Sequence, residues 1–241
     1  MENWPNTHTK IHIVIMGLLT ILFFAPAFAD DNTEEIVESV TIIGSKEDQK
    51  NLAGSGQIIS NDDLLKAMDT DIQKILTAVP GLYMRTEEGY GLRPNISIRG
   101  TAIERSAKVA IMEDGILVAP SPYTSSSAYY FPTTARIHAV EVLKGPAAVS
   151  QGPQTIGGAI NLISTPIPNA PSGKFTQELG ENGMKRTHLY AGGTSGNFGG
   201  LVEVHEHESD GFDSIANVGG DTGFDKSDLM IKARYENGNH S

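Results

Sequence analysis

Short runs of alternating apolar and polar residues, cut apart by glycine, asparagine and aspartate, are what most constrain the fold of this chain. From Ile96 to Val118 the pattern reads strand, loop, strand: Ile96 and Ile98 alternate with Ser97 and Arg99, and Val109 and Ile111 with Ala110 and Met112. RIHAVEVL, residues 136–143, alternates again. A period of two is the signature of a strand, because successive side chains point to opposite faces. The 26 glycines supply the turns that short strands need.

Outside these strands the chain signals little helix. Ser60 or Asn61 caps one helix that runs through Asp62, Asp63, Leu64 and Leu65, with acids in its first turn. A second helix, starting near Asp69 or Thr70, carries Ile72, Ile75, Leu76 and Val79 at helical spacing and stops at Pro80-Gly81. KGPAAVSQGPQTIGGAINLIS then predicts a brief helical turn over Ala147 to Ser150 and a closing strand over Ala159 to Ile163. Residues 44–165 therefore read as a small α+β domain of short strands and two short helices.

Thr165 to Gly173, TPIPNAPSG, is a proline-rich linker, and the texture changes beyond it. KFTQELG, THLYAGG, GGLVEVHEHES and DLMIKARYENG alternate in segments of about ten residues between turns. In the last, Leu229, Ile231, Ala233 and Tyr235 face one way and Met230, Lys232 and Arg234 the other. Such segments suit outer-membrane barrel strands, and equally an antiparallel sheet with one wet face.

A net charge of −11 argues against nucleic acid as a partner and means that any anion site needs local arginines. The absence of cysteine removes disulfides and thiolate metal sites. Residues 1–29 read as a signal peptide: an apolar stretch from Ile13 to Phe24 precedes Ala27-Phe28-Ala29, placing cleavage between Ala29 and Asp30. The apolar run is shorter than the roughly 20 residues of a spanning helix. After an acidic leader, Glu38, Ser39, Val40, Thr41, Ile42 and Ile43 form a β-prone segment, suited to pairing with another sheet edge or to being the first strand of the next domain.

The order ESVTIIG, DIQKILTAVPGLYM, ISIRG, VAIMEDGILV and AVEVLKGPAAVSQGPQTIGGAINLIS resembles the plug domain of TonB-dependent outer-membrane receptors, over about residues 38–165. RGTAIERSAKVAIMEDGILVAPSPY, AYYFP, GPQTIGGAIN and GGTSGNFGGLVEV are further similar to ferric-citrate receptors. The resemblance implies a leader with a TonB box over residues 30–47, a plug domain over 48–165, and a linker with the first barrel strands over 166–241. The fold expected is thus an α+β plug followed by the first antiparallel strands of an incomplete transmembrane β-barrel. Its family setting is a 22-stranded barrel filled by the plug.

In that family the ferric chelate binds at the outer face, and the energised TonB protein, with its inner-membrane complex, pulls on the TonB box. The resemblance makes residues 38–43 the TonB box. Arg99, Glu141 and Lys144 take the plug–barrel lock, the cations facing barrel glutamates; arginine is more usual than lysine at the last position. Arg105, Ser106, Tyr129, Tyr130 and Gln154 become candidates for the ligand site, since a carboxylate-rich ferric complex wants arginine donors and aromatic walls. No cofactor of its own is expected, only the ferric chelate as cargo. The partners implied are TonB, ferric citrate or another ferric siderophore, and outer-membrane lipid of a Gram-negative bacterium.

His205 and His207 in HEHE share one face of a strand, a geometry open to metal, but the iron here arrives already held by oxygen ligands, and no metal site is assigned. No catalytic pair, triad or nucleotide loop occurs, so an enzyme is not expected. About four strands fit after Gly173, too few to close a barrel, which predicts a receptor truncated at its C-terminal side. The other readings are a periplasmic plug-only module or non-functional fragment, and, for cargo, another siderophore, haem or cobalamin.

Overall fold

The computed structural model describes residues 41–44, 48–52, 54–67, 71–87, 91–118, 130–212 and 222–236. Signal cleavage at Ala29 and Asp30, the box residues Glu38, Ser39 and Val40, and Tyr129 lie outside them. The described residues fall into two compact units that divide between Pro166 and Ile167.

In the first unit the strands are β1 (Ser55–Ile59), β2 (Leu82–Arg85), β3 (Asn95–Ile98), β4 (Val109–Glu113), β5 (Ile116–Leu117), β6 (Ile137–Lys144) and β7 (Gly158–Ser164). Two short helices, α1 (Asn61–Ala67) and α2 (Ile72–Leu76), lie between β1 and β2. Five strands form one sheet in the order β1-β6-β7-β4-β5, while β2 and β3 pair as a separate hairpin. Only β4 and β7 run parallel; the other pairs are antiparallel.

Local chemistry sets these boundaries. Ser60 starts α1 through a reciprocal cap: its N–H and hydroxyl donate to Asp63 Oδ2 at 3.1 and 2.6 Å, and Leu64 N–H reaches Ser60 O at 3.0 Å. Asp71 caps α2, its side chain accepting from Gln73 N–H at 2.8 Å. The cap thus falls slightly later than Asp69 or Thr70. The predicted turn after β6 is a 3-10 helix, Pro146–Gln151.

The sheet is covered on both faces. Alternate residues of its inner strands, among them Val109, Ile111, Val140, Val142, Ile160 and Leu162, join Ile72, Leu76, Ile96 and Ile98 in the main core. The residues between them make a second, smaller core: Ala110, Met112, Leu143 and Ala159 with Ala148 and Ile43. Strands buried on both faces explain why residues 109–112 are apolar throughout rather than strictly alternating.

The second unit is an antiparallel meander of β8 (Ser172–Leu179), β9 (Lys185–Ser195), β10 (Phe198–Ser209) and β11 (Phe224–Tyr235), in spatial order β11-β10-β9-β8. Register puts Phe175, Leu189, Val204 and Leu229 in one row, and Gly173, Ala191, Val202 and Ile231 in the next on the same face. Phe198 and Tyr235 close that apolar band at one end, their ring centroids 4.8 Å apart. The opposite face carries Thr176, His188, His205 and Asp228 in one row and Glu178, Arg186, His207 and Lys226 in another. An apolar face with an aromatic edge, backed by a polar face, is the pattern of a barrel wall. The described strands do not close on themselves; β8 and β11 are edges.

Candidate functional site

Arg105 lies in a loop whose shape is enforced by polar anchors. Arg105 and Ser106 both take left-handed φ values, 50° and 56°, a conformation uncommon outside glycine. Asn95, at the start of β3, accepts the Arg105 N–H on Oδ1 at 2.6 Å and gives its Nδ2 to Arg85 O at 3.3 Å. Ser106 is fully buried; its hydroxyl accepts from Ile96 N–H at 3.0 Å and donates to Pro94 O at 3.1 Å. The loop is thereby tied to the β2–β3 hairpin, with the Arg105 side chain on the exposed surface. Arg85 adds a second cation on that hairpin, 3.2 Å from Glu87 and 3.6 Å from Glu104.

Ser106, expected as a ligand contact, is thus committed to holding the backbone. Tyr130 is exposed, but its hydroxyl donates to Glu113 Oε2 at 3.1 Å and accepts from the buried Arg136 guanidinium, itself paired with Glu113. Gln154 is half-buried, in a turn with φ of 71°.

Arg99 and Lys144 come together. Arg99, left-handed at φ 54°, donates its N–H to Gly81 O at 2.8 Å. A Cβ on Gly145 would lie 2.9 Å from Arg99 Nη1, so the guanidinium passes over that glycine beside Lys144. Lys144 is buried, with Nζ donating to Pro80 O at 3.0 Å. Burial, and secondarily the Arg99 charge, hold its ammonium below the ordinary value of 10.5. The two cations repel one another, and burial adds to the cost of keeping the Lys144 ammonium charged.

Glu141 has a different use from its neighbour Lys144. Its fully buried carboxylate accepts N–H bonds from Ile42 at 2.7 Å, Ile43 at 2.9 Å and Gly44 at 3.2 Å, and one from Asn161 Nδ2 at 3.0 Å. Its acceptor capacity is spent inside the first unit, on the end of the β-prone segment. Glu113, Arg136, Asn95 and Asn161 were not singled out from sequence. The available signal was a polar residue inside an otherwise buried strand, or next to one.

His205 and His207 share a face as expected, with ring centroids 6.1 Å apart. Among the described residues no three of His, Cys, Asp and Glu converge as a metal site.

A family model described as the TonB-dependent receptor plug domain matches residues 48–159. The vitamin B12 transporter BtuB of Photobacterium profundum is 24% identical over 248 residues, which is 95% of this chain and 40% of the relative. An iron-regulated outer membrane virulence protein of Vibrio cholerae is 31% identical over 153 residues, 61% of this chain and 22% of its own. Among solved structures, the unliganded ferric citrate transporter FecA matches with a TM-score of 0.66 at 23% identity, over 85% of this chain and 32% of its own. The ferric yersiniabactin uptake receptor FyuA from Yersinia pestis matches with a TM-score of 0.62 at 22% identity, over 77% and 29%. At these identities the solved structures speak for fold. Residues 48–159 are a TonB-dependent receptor plug domain, and the strands after it resemble the start of that family's barrel. The chain spans less than half the length of these relatives.

Proposed function

We propose that this chain is the plug-bearing part of a TonB-dependent outer-membrane receptor that takes up a ferric chelate, with ferric citrate as the cargo. Residues 1–29 export it, the plug faces the periplasm, TonB seizes the segment around residues 38–43, and Arg99 and Lys144 meet barrel carboxylates. The observation that carries the cargo reading is the Arg105 loop. A guanidinium on a backbone held in an uncommon conformation by Asn95 and Ser106 is a pre-positioned donor for an anionic, carboxylate-rich complex. Strain of this kind clusters where a ligand is gripped.

The test is competition binding to the receptor carrying this chain, with ferric citrate set against ferric enterobactin, haem and cobalamin. Ferric citrate is expected to win, and Arg105→Ala to weaken it by about 1–3 kcal/mol, the scale of a charged hydrogen bond. Unchanged affinity moves the site away from this loop. A win for cobalamin supports the second cargo reading, which the BtuB match along 95% of this chain favours. Fractionated cells probed with an antibody against residues 44–165 distinguish a receptor from a plug-only product. An outer-membrane band several-fold larger than this chain supports uptake; a soluble band near its own mass supports the module.

A further inference from the structure

The Glu141 carboxylate binds backbone N–H groups of the segment before β1, nearly a hundred residues away in sequence. Three successive N–H groups, of Ile42, Ile43 and Gly44, turn toward one carboxylate. Gly44 reaches this geometry with a φ of +86°. Successive N–H groups converging on an anion form a nest; here the anion is a side chain of the same domain. Ile43 seals the arrangement by burying its side chain in the smaller core with Ala110, Met112, Leu143 and Ala159. Ile42, Leu52, Ile58 and Leu117 pack against the same core, so apolar burial holds the segment and the carboxylate adds the directional hold.

A partner that captures an extended segment by adding a strand needs the segment's backbone N–H groups. Those of Ile42 and Ile43 are already occupied. We propose that Glu141 is a latch that gates partner access to this segment: TonB, or any strand-adding partner, must first win these N–H groups from a buried carboxylate. This inference rests on the reading of residues 38–43 as the TonB-engaged segment.

The latch also directs where a pull is felt. Glu141 stands in β6 opposite Asn161 of β7. Asn161 donates to Glu141 with Nδ2 and accepts the Gly115 N–H on Oδ1 at 2.9 Å, in the turn between β4 and β5. Tension on residues 42–44 therefore enters the middle of the sheet, not its edge. Once the segment leaves, Asn161 is the one remaining donor among those four bonds, and a buried carboxylate with so few donors favours re-closure.

The experiment is amide hydrogen exchange on the full chain, comparing wild type, Glu141→Gln and Gly44→Ala, followed by titration with the periplasmic domain of TonB. Glutamine keeps the size of the side chain but loses the charge and half of the acceptor capacity. Gly44→Ala strains the nest from the other side, without touching the sheet. Both variants are expected to speed exchange at residues 42–44 by about tenfold or more, with the β6–β7 amides still protected. TonB affinity should tighten by a matching factor, because apparent affinity scales with the fraction of released segment.

Exchange at residues 42–44 equal to wild type in both variants overturns the latch. So does a rise spread evenly over the whole sheet in both. Faster local exchange with unchanged TonB affinity overturns the gating. If no protein binds TonB, the energy-coupling reading and the gating fall together, and exchange alone then decides whether the segment is latched.

Discussion

Arg105 and Ser106 show how a loop residue gains a defined direction. Neither favours a left-handed backbone by itself, and each costs energy there. The cost is offset by Asn95 Oδ1 on the Arg105 N–H and by the Ser106 hydroxyl between Pro94 and Ile96. Ser106→Ala leaves the buried Ile96 N–H without its acceptor and is expected to destabilise the plug by about 1–3 kcal/mol, read from chemical denaturation. Arg105→Ala, exposed and bonded through its backbone, should leave the same midpoint nearly unchanged. Arg105 was legible in the sequence as a cation among loop residues. The anchoring role of Ser106 was not, because its partners lie ten and twelve positions away.

Lys144 belongs to the same scale and predicts a pH dependence. Its pKa in the fold lies below 10.5, through burial first and the Arg99 charge second. Below both its folded and its unfolded value, the protein carries the full cost of a desolvated ammonium. Between the two values the unfolded chain holds more protons, so stability rises with pH. Wild type should therefore gain on Lys144→Arg as pH climbs toward 10.5, since arginine stays charged throughout. Unfolding midpoints of the two proteins across the alkaline range provide the check; parallel curves would contradict the shift.

The strands of the plug depend on close backbone approach as much as on apolar pattern. Gly158 opens β7 opposite Lys144, and a Cβ there would lie 2.2 Å from Leu143 O and 2.9 Å from Ile98 Cδ1. Gly158→Ala must push β7 away from β6 at its first pair. It is expected to cost more than about 1 kcal/mol, with exchange rising at the Leu143–Lys144 end of β6 before the Ile137 end. The GGAIN run was readable as the start of β7, and alternation placed β3, β4 and β6 closely. Helix starts were less legible, because Asp71, Thr70 and Asp69 are all competent caps and only packing of Ile72 and Leu76 selects the first. Glu141 was expected in the plug–barrel lock, and its hold on Ile42, Ile43 and Gly44 was not legible. Burial of both sheet faces, and a covering segment from the far N-terminal side, are facts of tertiary assembly that no local period contains.

At the scale of the whole chain the two units have opposite needs. The plug buries apolar side chains on both faces of its sheet, and the edge strands of that sheet, β1 and β5, are short, 5 and 2 residues. The four strands that follow bear an apolar face, with Phe175, Leu229, Ile231 and Tyr235 exposed, and two edges whose backbone groups have no pairing strand among the described residues. In hydrocarbon an open edge costs several kcal/mol for each unsatisfied group, so such strands require a closed barrel around them. In water, long unpaired edges invite opening and aggregation. The 241-residue chain made alone in detergent-free buffer should therefore lose β8 to β11 to a protease first, leaving a protected fragment near residues 42–166, which keeps the buried Ile43. Mass spectrometry of the digest reads this directly. Greater resistance in residues 172–235 than in the plug would show that the strand unit finds its closure elsewhere, in copies of itself or in a partner chain.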